Sequence, residues 1–380
     1  MGKIIFILYV WLTTVSNISV VKDITLAGYP ISTWIYLMMI FFTLVSVAIQ
    51  IKNGQKPAIY FLGLSIFVVT ILVSILNSQP LKIVLIECGH YFLAIFLVAF
   101  IKHYKISVQF LVKVICIASI LGCIFSILYA FKIIDIGYET SHSVVRSAYV
   151  DGGIGVLSIS IAVYFLLNPK VQIRAIYLMS MLCSGAGILI LGQSRARILI
   201  AISIITFMIF CTLLNRKVGK IIKVLTAFLV LTLLAYIIMP NFIENSLNSV
   251  LGRFSVSLSE DGNTTYRIVE MQQQLQIFYN NPFLGGGWGV LVENSMYNHN
   301  MYTSLMSLVG IFGMIPFYIW LLYLIKKNNV VFSSSIKGEM VLSMSLLIMV
   351  VLLGVASSGL TKIGPIAAMC VIYAIEQENK

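Results

Sequence analysis

Charged residues are scarce in this chain. Asp, Glu, Lys and Arg make up 10% of its 380 residues, whereas a soluble domain has about 25%. Hydrophobic residues make up 60%, and the mean hydropathy is +1.01. These values exclude an ordinary soluble protein. They predict an all-α polytopic membrane protein in which residues 1–380 form a single integral membrane domain.

The chain also lacks features that would indicate other classes of protein. It has no CxxC pair, no internal repeat and no low-complexity tract. No A-x-A cleavage site follows the first apolar run, which we therefore interpret as a retained span. The cysteines all fall in apolar runs and are expected to be small buried residues. They are Cys88, Cys116, Cys123, Cys183, Cys211 and Cys370.

Long apolar runs, by contrast, are abundant. A helix needs about 20 mainly apolar residues to cross the hydrocarbon of a bilayer. Runs of this kind, separated by charged or turn residues, predict about twelve transmembrane helices. The predicted spans are 4–21, 29–51, 57–76, 81–101, 106–131, 152–167, 175–192, 196–214, 219–239, 297–325, 338–357 and 362–376.

The positions of the cations predict the orientation of these spans, because cytoplasmic loops retain Lys and Arg. With the N-terminus inside, sixteen of the 25 cations fall on the inner side and nine on the outer side. Both termini are therefore predicted to be cytoplasmic. The net charge of +12 follows from this asymmetry and from anionic inner-leaflet lipid, so no nucleic-acid partner is expected.

One connection is much longer than the others. It runs from Pro240 to Met296, 57 residues between spans nine and ten, and the predicted orientation makes it extracytoplasmic. Long ordered loops are usually functional, because their ordering costs entropy. Residues 264–280 of this loop predict an amphipathic helix that lies on the membrane surface or over a cavity. Its apolar stripe consists of Ile268, Met271, Leu275 and Phe278.

The arginines favour the outer side, although the positive-inside rule disfavours cations there. Five of the seven lie on the predicted outer side or just inside its membrane boundary: Arg146, Arg195, Arg197, Arg253 and Arg267. The planar guanidinium group grips phosphate oxygens in pairs, whereas lysine acts as a point charge. Each arginine alone could pair with a carboxylate such as Asp151 or Glu270, or extend to the lipid headgroups. The five together favour an outward anionic ligand.

The stretch NNPFLGGGWGVLVENSMYNHN, residues 280–300, combines glycines with polar residues at the predicted start of the tenth span. Gly285, Gly286 and Gly287 allow close backbone approach, so their N–H groups either line an anion site or pack in a tight loop. His299 and Glu293 are the candidate bases here. A histidine at a helix end is otherwise a structural hydrogen-bonding group.

Glu87 and His90 lie three residues apart, and therefore on one face of the fourth span. Ionisable groups inside a membrane usually mark a polar pathway, so this pair favours a transporter or lipid-linked oligosaccharide flippase. The two side chains could equally bond each other or line a catalytic cavity. Against a transporter, the long loop has no counterpart in the first six spans.

These motifs resemble a known family. RIVEMQQQLQIFYNNPFLGGGWG and HNMYTSLMSLVGIFGMIPF, together with the upstream QSRARILI, are similar to the O-antigen polymerase and O-antigen ligase superfamily of bacterial envelope glycan assembly. The local pattern covers roughly residues 190–325. The resemblance implies a GT-C-like membrane fold. It also implies a glycosyltransferase of the bacterial inner membrane that uses glycans linked to undecaprenyl diphosphate.

The resemblance further implies roles for individual residues. Arg195 or Arg197, with Arg267, would bind the diphosphate, and His299 would act in catalysis. Arg146 belongs to an outer loop in which polymerases also carry important arginines. The lipid diphosphate is already a good leaving group, so arginines and a base that activates the acceptor hydroxyl suffice for an inverting transfer. No metal or other cofactor is expected, and the outer loops contain no DxD motif.

Within this superfamily the acceptor decides the reaction. A polymerase transfers the glycan to a second lipid-linked repeat unit of O-antigen or capsule, whereas a ligase transfers it to the lipid A core. The NPFLGGGWG run followed by HN favours the polymerase. The expected partners are the undecaprenyl-diphosphate-linked oligosaccharide, membrane lipid and a chain-length-regulating membrane protein.

Overall fold

The computed structural model of the chain is almost entirely helical in the part that it describes. The described residues are 1–16, 24–26, 28–54, 68–77, 79–131, 133, 152–168, 173–192, 194–215, 218–238, 240, 241, 244, 245, 248, 251, 252, 262–294, 296, 300–327, 338–356 and 362–378. The principal helices are α1 Gly2–Val15, α2 Ile31–Lys52, α3 Leu81–His103, α4 Val108–Ala130, α5 Gly152–Leu167, α6 Ala175–Gly192, α7 Arg195–Leu214, α8 Val218–Ile238, α9 Gly262–Asn280, α10 Val290–Glu293, α11 Met301–Lys327, α12 Gly338–Ala356 and α13 Ile363–Glu378. Residues 68–76 are also helical.

Seven of the described helices are long and apolar enough to cross a membrane. They are Ile31–Lys52, Ile83–His103, Val108–Ala130, Ala175–Gly192, Arg195–Leu214, Met301–Lys326 and Glu339–Ala356. This finding confirms an all-α, multi-pass membrane protein. The other predicted spans fall on α1, residues 68–76, α5, α8 and α13. The helices α1 and α5 have 14 and 16 residues, below the usual length of about 20, so the count of twelve spans stays a prediction. The GT-C-like arrangement of the helices also stays a prediction.

Two of these shorter helices form the centre of the bundle. Almost every residue of α5 and of α13 is buried, as expected for helices that are apolar on all sides. α5 packs against α6, α7, α12 and α13, and α13 packs also against α3. Glycines allow this closeness: a β-carbon added to Gly364 would collide with the backbone of Gly153, and one on Gly155 would lie 3.1 Å from the carbonyl oxygen of Gly185.

Two details depart from the sequence-based expectations. The connection between α1 and α2 contains a small antiparallel hairpin, in which Thr25–Leu26 pairs with Tyr29–Pro30. All six cysteines are free thiols, but Cys183 is exposed. The expectation of a buried residue is therefore wrong for Cys183.

Candidate functional site

A break in α11 lies opposite the glycine-rich loop. Gly310 has φ 58° and ψ −165°, which interrupts the helix. In an unbroken helix the carbonyl oxygens of Ser307 and Leu308 would accept from the N–H groups of Ile311 and Phe312. The break separates these partners. Unsatisfied backbone groups are costly in an apolar environment, so each of the four needs another partner.

The glycine-rich loop provides those partners. The four replacement bonds are Gly286 N–H to Ser307 O at 2.7 Å, Gly287 N–H to Leu308 O at 3.0 Å, Ile311 N–H to Pro282 O at 2.9 Å and Phe312 N–H to Phe283 O at 3.1 Å. We call this arrangement the loop clasp, formed by residues 282–287 and 307–312. It explains why a polar, flexible stretch adjoins an apolar helix. The loop completes the backbone bonding of that helix.

Glycine is required on both sides of the loop clasp. Gly285 and Gly287 have φ of 71° and 91°, in the left-handed region that other residues rarely adopt. A β-carbon on Gly285 would lie 2.6 Å from the carbonyl group of Leu308, and one on Gly310 would lie 2.5 Å from the carbonyl oxygen of Phe283. The two backbones therefore touch without intervening side chains.

Polar side chains within and just after the helical residues 68–76 hold the other side of the loop. Gln79 donates from Nε2 to the carbonyl oxygen of Gly286 at 2.9 Å and accepts from the N–H of Gly289 at 2.6 Å. Trp288 donates its backbone N–H to Ser74 Oγ at 2.8 Å and its indole N–H to Thr70 Oγ1 at 2.8 Å. Trp288 is 1% exposed. The loop is thus anchored between α11 and the segment before α3.

These bonds bear on the predicted anion contact of the glycines. Gly285 donates its N–H to Asn281 O at 2.9 Å, and Gly286 and Gly287 donate theirs within the loop clasp. The N–H groups of Gly285, Gly286 and Gly287 are therefore occupied in this structure, which supports the interpretation of a tightly packed loop. A diphosphate contact at these glycines stays a prediction, and it would require the loop clasp to open.

The helix α9 turns its polar face towards α11. Glu270 and Gln274 are buried, at 3% and 0% exposure. Gln274 Oε1 accepts from Thr303 Oγ1 at 2.7 Å and from Ser304 Oγ at 3.2 Å. Of the predicted apolar stripe, Ile268 is 50% exposed, whereas Met271, Leu275 and Phe278 are half-buried. The sequence showed the amphipathic character of this helix, but not that Glu270 and Gln274 would be buried, because the partners of Gln274 lie on α11.

Arg267 and Asn300 meet the same end of α12. Arg267 is half-buried and donates from Nη1 to the carbonyl oxygen of Ala356 at 3.5 Å. Asn300 donates from Nδ2 to the carbonyl oxygen of Val355 at 3.1 Å, and its Oδ1 accepts from Tyr302 N–H at 2.9 Å. Asn300 therefore caps α11, a role that sequence reasoning missed. An Asn immediately before an apolar helix was the available signal.

Arg197 points into the bundle at the start of α5. Its guanidinium group lies over Gly152, where an added β-carbon would be 2.6 Å from Nη1. Arg195 is half-buried at the first position of α7. The two arginines thus stand at the end of the bundle where α3, α5, α7 and α13 begin, which we call the predicted outer end.

Lys362 is a third cation at the predicted outer end, and sequence reasoning counted it without assigning it a role. It is exposed and immediately precedes α13. Glu87, half-buried in α3, lies near enough to Lys362 for the two groups to interact electrostatically. On the same face of α3, the His90 ring stacks on Tyr36, with centroids 4.6 Å apart and planes at 26°. The Glu87 and His90 face therefore points towards α2 and the start of α13.

Cations at this end oppose the dipoles of the helices that they adjoin. A helix N-terminus carries partial positive charge, so cations there are unfavourable. The first turns of α7 and α13 nevertheless lack acidic residues, while Arg195 and Arg197 lie in the first turn of α7. At the opposite end, Lys52, Lys102 and His103 occupy last turns, where the dipole favours them. The dipoles of α7 and α13 therefore do not stabilise the cations at the predicted outer end.

Three further observations complete the site. Arg146 and His299 lie outside the described residues. Glu293 is exposed, and its Oε2 lies 3.5 Å from Nε2 of Gln79. Within the described ranges, no three His, Cys, Asp or Glu side chains are grouped so that they could hold a metal ion.

Comparison with protein-family profiles and with curated proteins finds no match for this chain. An account of its function therefore depends on its own residues and their arrangement.

Proposed function

We propose that the protein is a glycosyltransferase that polymerises O-antigen or capsule repeat units. It takes a glycan from undecaprenyl diphosphate and joins it to a hydroxyl of a second lipid-linked repeat unit. The reaction takes place at the outer face of the bacterial inner membrane. The proposal rests on one observation above all: Arg195, Arg197 and Lys362 stand at the starts of helices α7 and α13, where the helix dipoles repel cations.

A membrane-bound diphosphate is the ligand that best fits this charge pattern. The surrounding helices are apolar, so a ligand with a long hydrocarbon chain can remain in the membrane while its head group reaches the cations. A guanidinium group binds two phosphate oxygens at once. The similarity in sequence pattern to O-antigen polymerases and ligases points to the same class of ligand.

The chemistry requires stabilisation of the leaving group and activation of the acceptor. As the bond between the anomeric carbon and the phosphate oxygen breaks, negative charge grows on the diphosphate. Arg197, with Arg195 and Arg267, neutralises that charge. The acceptor hydroxyl attacks the anomeric carbon from the opposite side and loses its proton to a base, so the configuration inverts. We assign the base to His299, with Glu293 as the next candidate.

The loop clasp gives this scheme a rigid frame. It joins α9, which carries Arg267, to α11, whose first turn Asn300 caps. Groups that act together on one bond must be held in a fixed relative position, and packed helices hold them better than free loops do. The packing of α9 against α11 therefore supports a role for Arg267 in the same site as the base.

The proposal is tested by supplying the donor with each acceptor in turn. Purified protein in lipid vesicles receives a repeat unit on undecaprenyl diphosphate, either alone or with lipid A core. Extension of the glycan with the donor alone supports a polymerase. Transfer that occurs only to the lipid A core identifies a ligase, and movement of the donor across the vesicle membrane without transfer identifies a flippase. A cysteine at Asn263 that is labelled from outside the cell supports the proposed orientation.

A further inference from the structure

A cavity lies at the end of the bundle where α2, α3 and α13 finish. Its volume is about 540 Å³, within the range of roughly 300–1,000 Å³ that is typical of small-molecule sites. The three helices meet here, because α3 packs against both α2 and α13. Among the described residues, the polar lining of the cavity consists of Gln50, Asn53, Lys102, His103, Lys105 and Gln377.

The lining combines amide groups with cations. Gln50 is 6% exposed and donates from Nε2 to the carbonyl oxygen of Ala99 at 2.9 Å. Gln377 is half-buried, and its Oε1 has no hydrogen-bond partner within the part of the chain that the structure describes. Lys102 is half-buried and Lys105 is exposed. The cavity therefore offers two ammonium groups and an amide oxygen that lacks a donor.

Lys105 occupies a position at which helices usually place glycine. α3 ends in a Schellman motif, in which Ile106 N–H donates to Ile101 O at 3.0 Å and Lys105 N–H donates to Lys102 O at 3.3 Å. Lys105 has φ 48°, a conformation that glycine adopts without strain. A lysine is therefore less favourable here than a glycine for the stability of the turn. Its charge at the cavity is a reason for its presence.

No acidic side chain lines the cavity among the described residues. Glu378, at the end of α13, is directed to the start of α4 instead, where its Oε1 accepts from Val108 N–H at 2.8 Å. The helix dipole favours Lys102 in the last turn of α3. A concave surface lined by cations also attracts anions. The lining therefore fits an anion that carries hydrogen-bond donors.

The position of the cavity favours a lipid over a soluble anion. α2 exposes Leu37, Phe41 and Leu44, so a helix that borders the cavity also presents an apolar surface to the bilayer. An acyl chain can lie along this surface while its headgroup enters the cavity. The predicted orientation places the cavity at the cytoplasmic surface, where basic pockets between helices bind acidic lipid headgroups.

We propose that this cavity binds the headgroup of an anionic phospholipid of the phosphatidylglycerol class. Lys102 and Lys105 attract its phosphate, and the amide oxygen of Gln377 accepts from a hydroxyl of its glycerol group. The site lies at the end of the bundle opposite the proposed diphosphate site. Its assignment does not depend on the proposed function.

Binding of short-chain lipids to the purified full-length protein in neutral detergent tests the proposal. Dioctanoyl phosphatidylglycerol should bind about tenfold or more tightly than dioctanoyl phosphatidylcholine, because two lysines act on its net charge. Glycerol phosphate, an anion without acyl chains, should compete only weakly. Equal affinity for phosphatidylcholine overturns the proposal. Equal affinity for glycerol phosphate identifies a soluble anion as the ligand and also overturns it.

Substitution of Lys105 separates binding from stability. Lys105→Gln should weaken phosphatidylglycerol binding by about fivefold. Lys52→Gln, which removes the same charge at the same end of the bundle from a residue outside the cavity lining, should leave the affinity unchanged. Equal weakening by the two substitutions shows a general surface attraction and overturns the proposal.

Lys105→Gly provides a second, opposite readout. It should maintain or raise the thermal unfolding temperature of the lipid-free protein, because glycine relieves the strain of the positive φ. It should nevertheless weaken phosphatidylglycerol binding as much as Lys105→Gln does. Wild-type affinity in Lys105→Gly shows that the lysine serves only the turn, which overturns the proposal.

The contact of Gln377 is tested with phosphatidylethanol, which has the same charge as phosphatidylglycerol but no hydroxyl group. The wild-type protein should prefer phosphatidylglycerol by about fivefold, the contribution of one hydrogen bond. Gln377→Leu should lose this preference and still bind both anionic lipids more tightly than phosphatidylcholine. An unchanged preference for phosphatidylglycerol in Gln377→Leu contradicts the assigned contact.

Discussion

Gly285 and Gly310 face each other so closely that a β-carbon on Gly310 would lie 2.6 Å from the amide nitrogen of Gly285. Both have positive φ, 71° and 58°. The break in α11 and the sharp turn of the loop are therefore two halves of one structure. In an apolar environment, backbone groups freed by a helix break must be bonded by the protein itself. The loop clasp does this with two separate segments, residues 282–287 and 307–312, whose backbone geometries match.

Gly310→Ala should destabilise the protein clearly. An alanine would need positive φ, which costs about 1–3 kcal/mol, and its β-carbon would collide with Phe283 O at 2.5 Å. The measurement is the thermal unfolding temperature in detergent. Gly219→Ala in α8 is the matched control, since nothing lies within 4 Å of its added β-carbon. It should unfold at the same temperature or higher. If both variants unfold at the same temperature, the loop clasp does not contribute to stability as proposed.

Gln79→Leu should also destabilise the protein, because it leaves the buried N–H of Gly289 without an acceptor. An unsatisfied buried donor costs about 1–3 kcal/mol. Gln276→Leu is the comparison, because Gln276 is exposed and its side-chain bond is long, at 3.4 Å. Hydrogen exchange of the Gly289 amide provides a local readout. Faster exchange in Gln79→Leu alone is expected, and unchanged exchange would show that the bond contributes little.

Sequence reasoning recovered the helices better than their contacts. The apolar runs and the amphipathic pattern of 264–280 are local signals, and the structure has α9 at Gly262–Asn280. The loop clasp was not predicted, because the glycines indicated close backbone approach but not which distant backbone they would approach. The bond of Gln79 to Gly286 joins residues 207 positions apart, a separation at which local pattern carries no information.

The candidate site shows the same limit. The surplus of outer arginines pointed to an anion, but only packing shows that Arg197 lies over Gly152. Lys362 stood out in no motif, since its significance depends on α13 meeting α3 and α5. The apolar stripe of α9 was visible in the sequence. The partners of its polar face, Thr303 and Ser304, lie on another helix, so the buried face could not be chosen in advance.

Arg197→Lys should reduce glycan extension almost as much as Arg197→Ala. A lysine keeps the charge but loses the planar pair of donors, and removal of one such stabilising group costs about 10²- to 10³-fold in rate. The matched control is Arg174→Lys, at an exposed position before α6, which should extend glycans normally. If Arg197→Lys extends glycans at a near-normal rate, Arg197 contributes only its positive charge, and paired hydrogen bonds to the phosphate are not required.

His299→Gln should slow glycan extension by about 10²- to 10⁴-fold, because glutamine retains hydrogen bonding but cannot accept a proton near neutral pH. Binding of farnesyl diphosphate should be largely unchanged. His103→Gln, at the end of α3 away from the proposed site, should extend glycans at the wild-type rate. If His299→Gln also does so, His299 has a structural role, and Glu293→Gln becomes the variant to measure.

The most direct test of the proposed function is the length of the glycan made by purified protein. The protein, in vesicles with EDTA and without nucleotide sugar or any other protein, is incubated with one repeat unit on undecaprenyl diphosphate. The account predicts a ladder of lipid-linked glycans that differ by one repeat unit, with one undecaprenyl diphosphate released for each bond formed. A donor that is bound but stays at one repeat unit, with no carrier released, would contradict it.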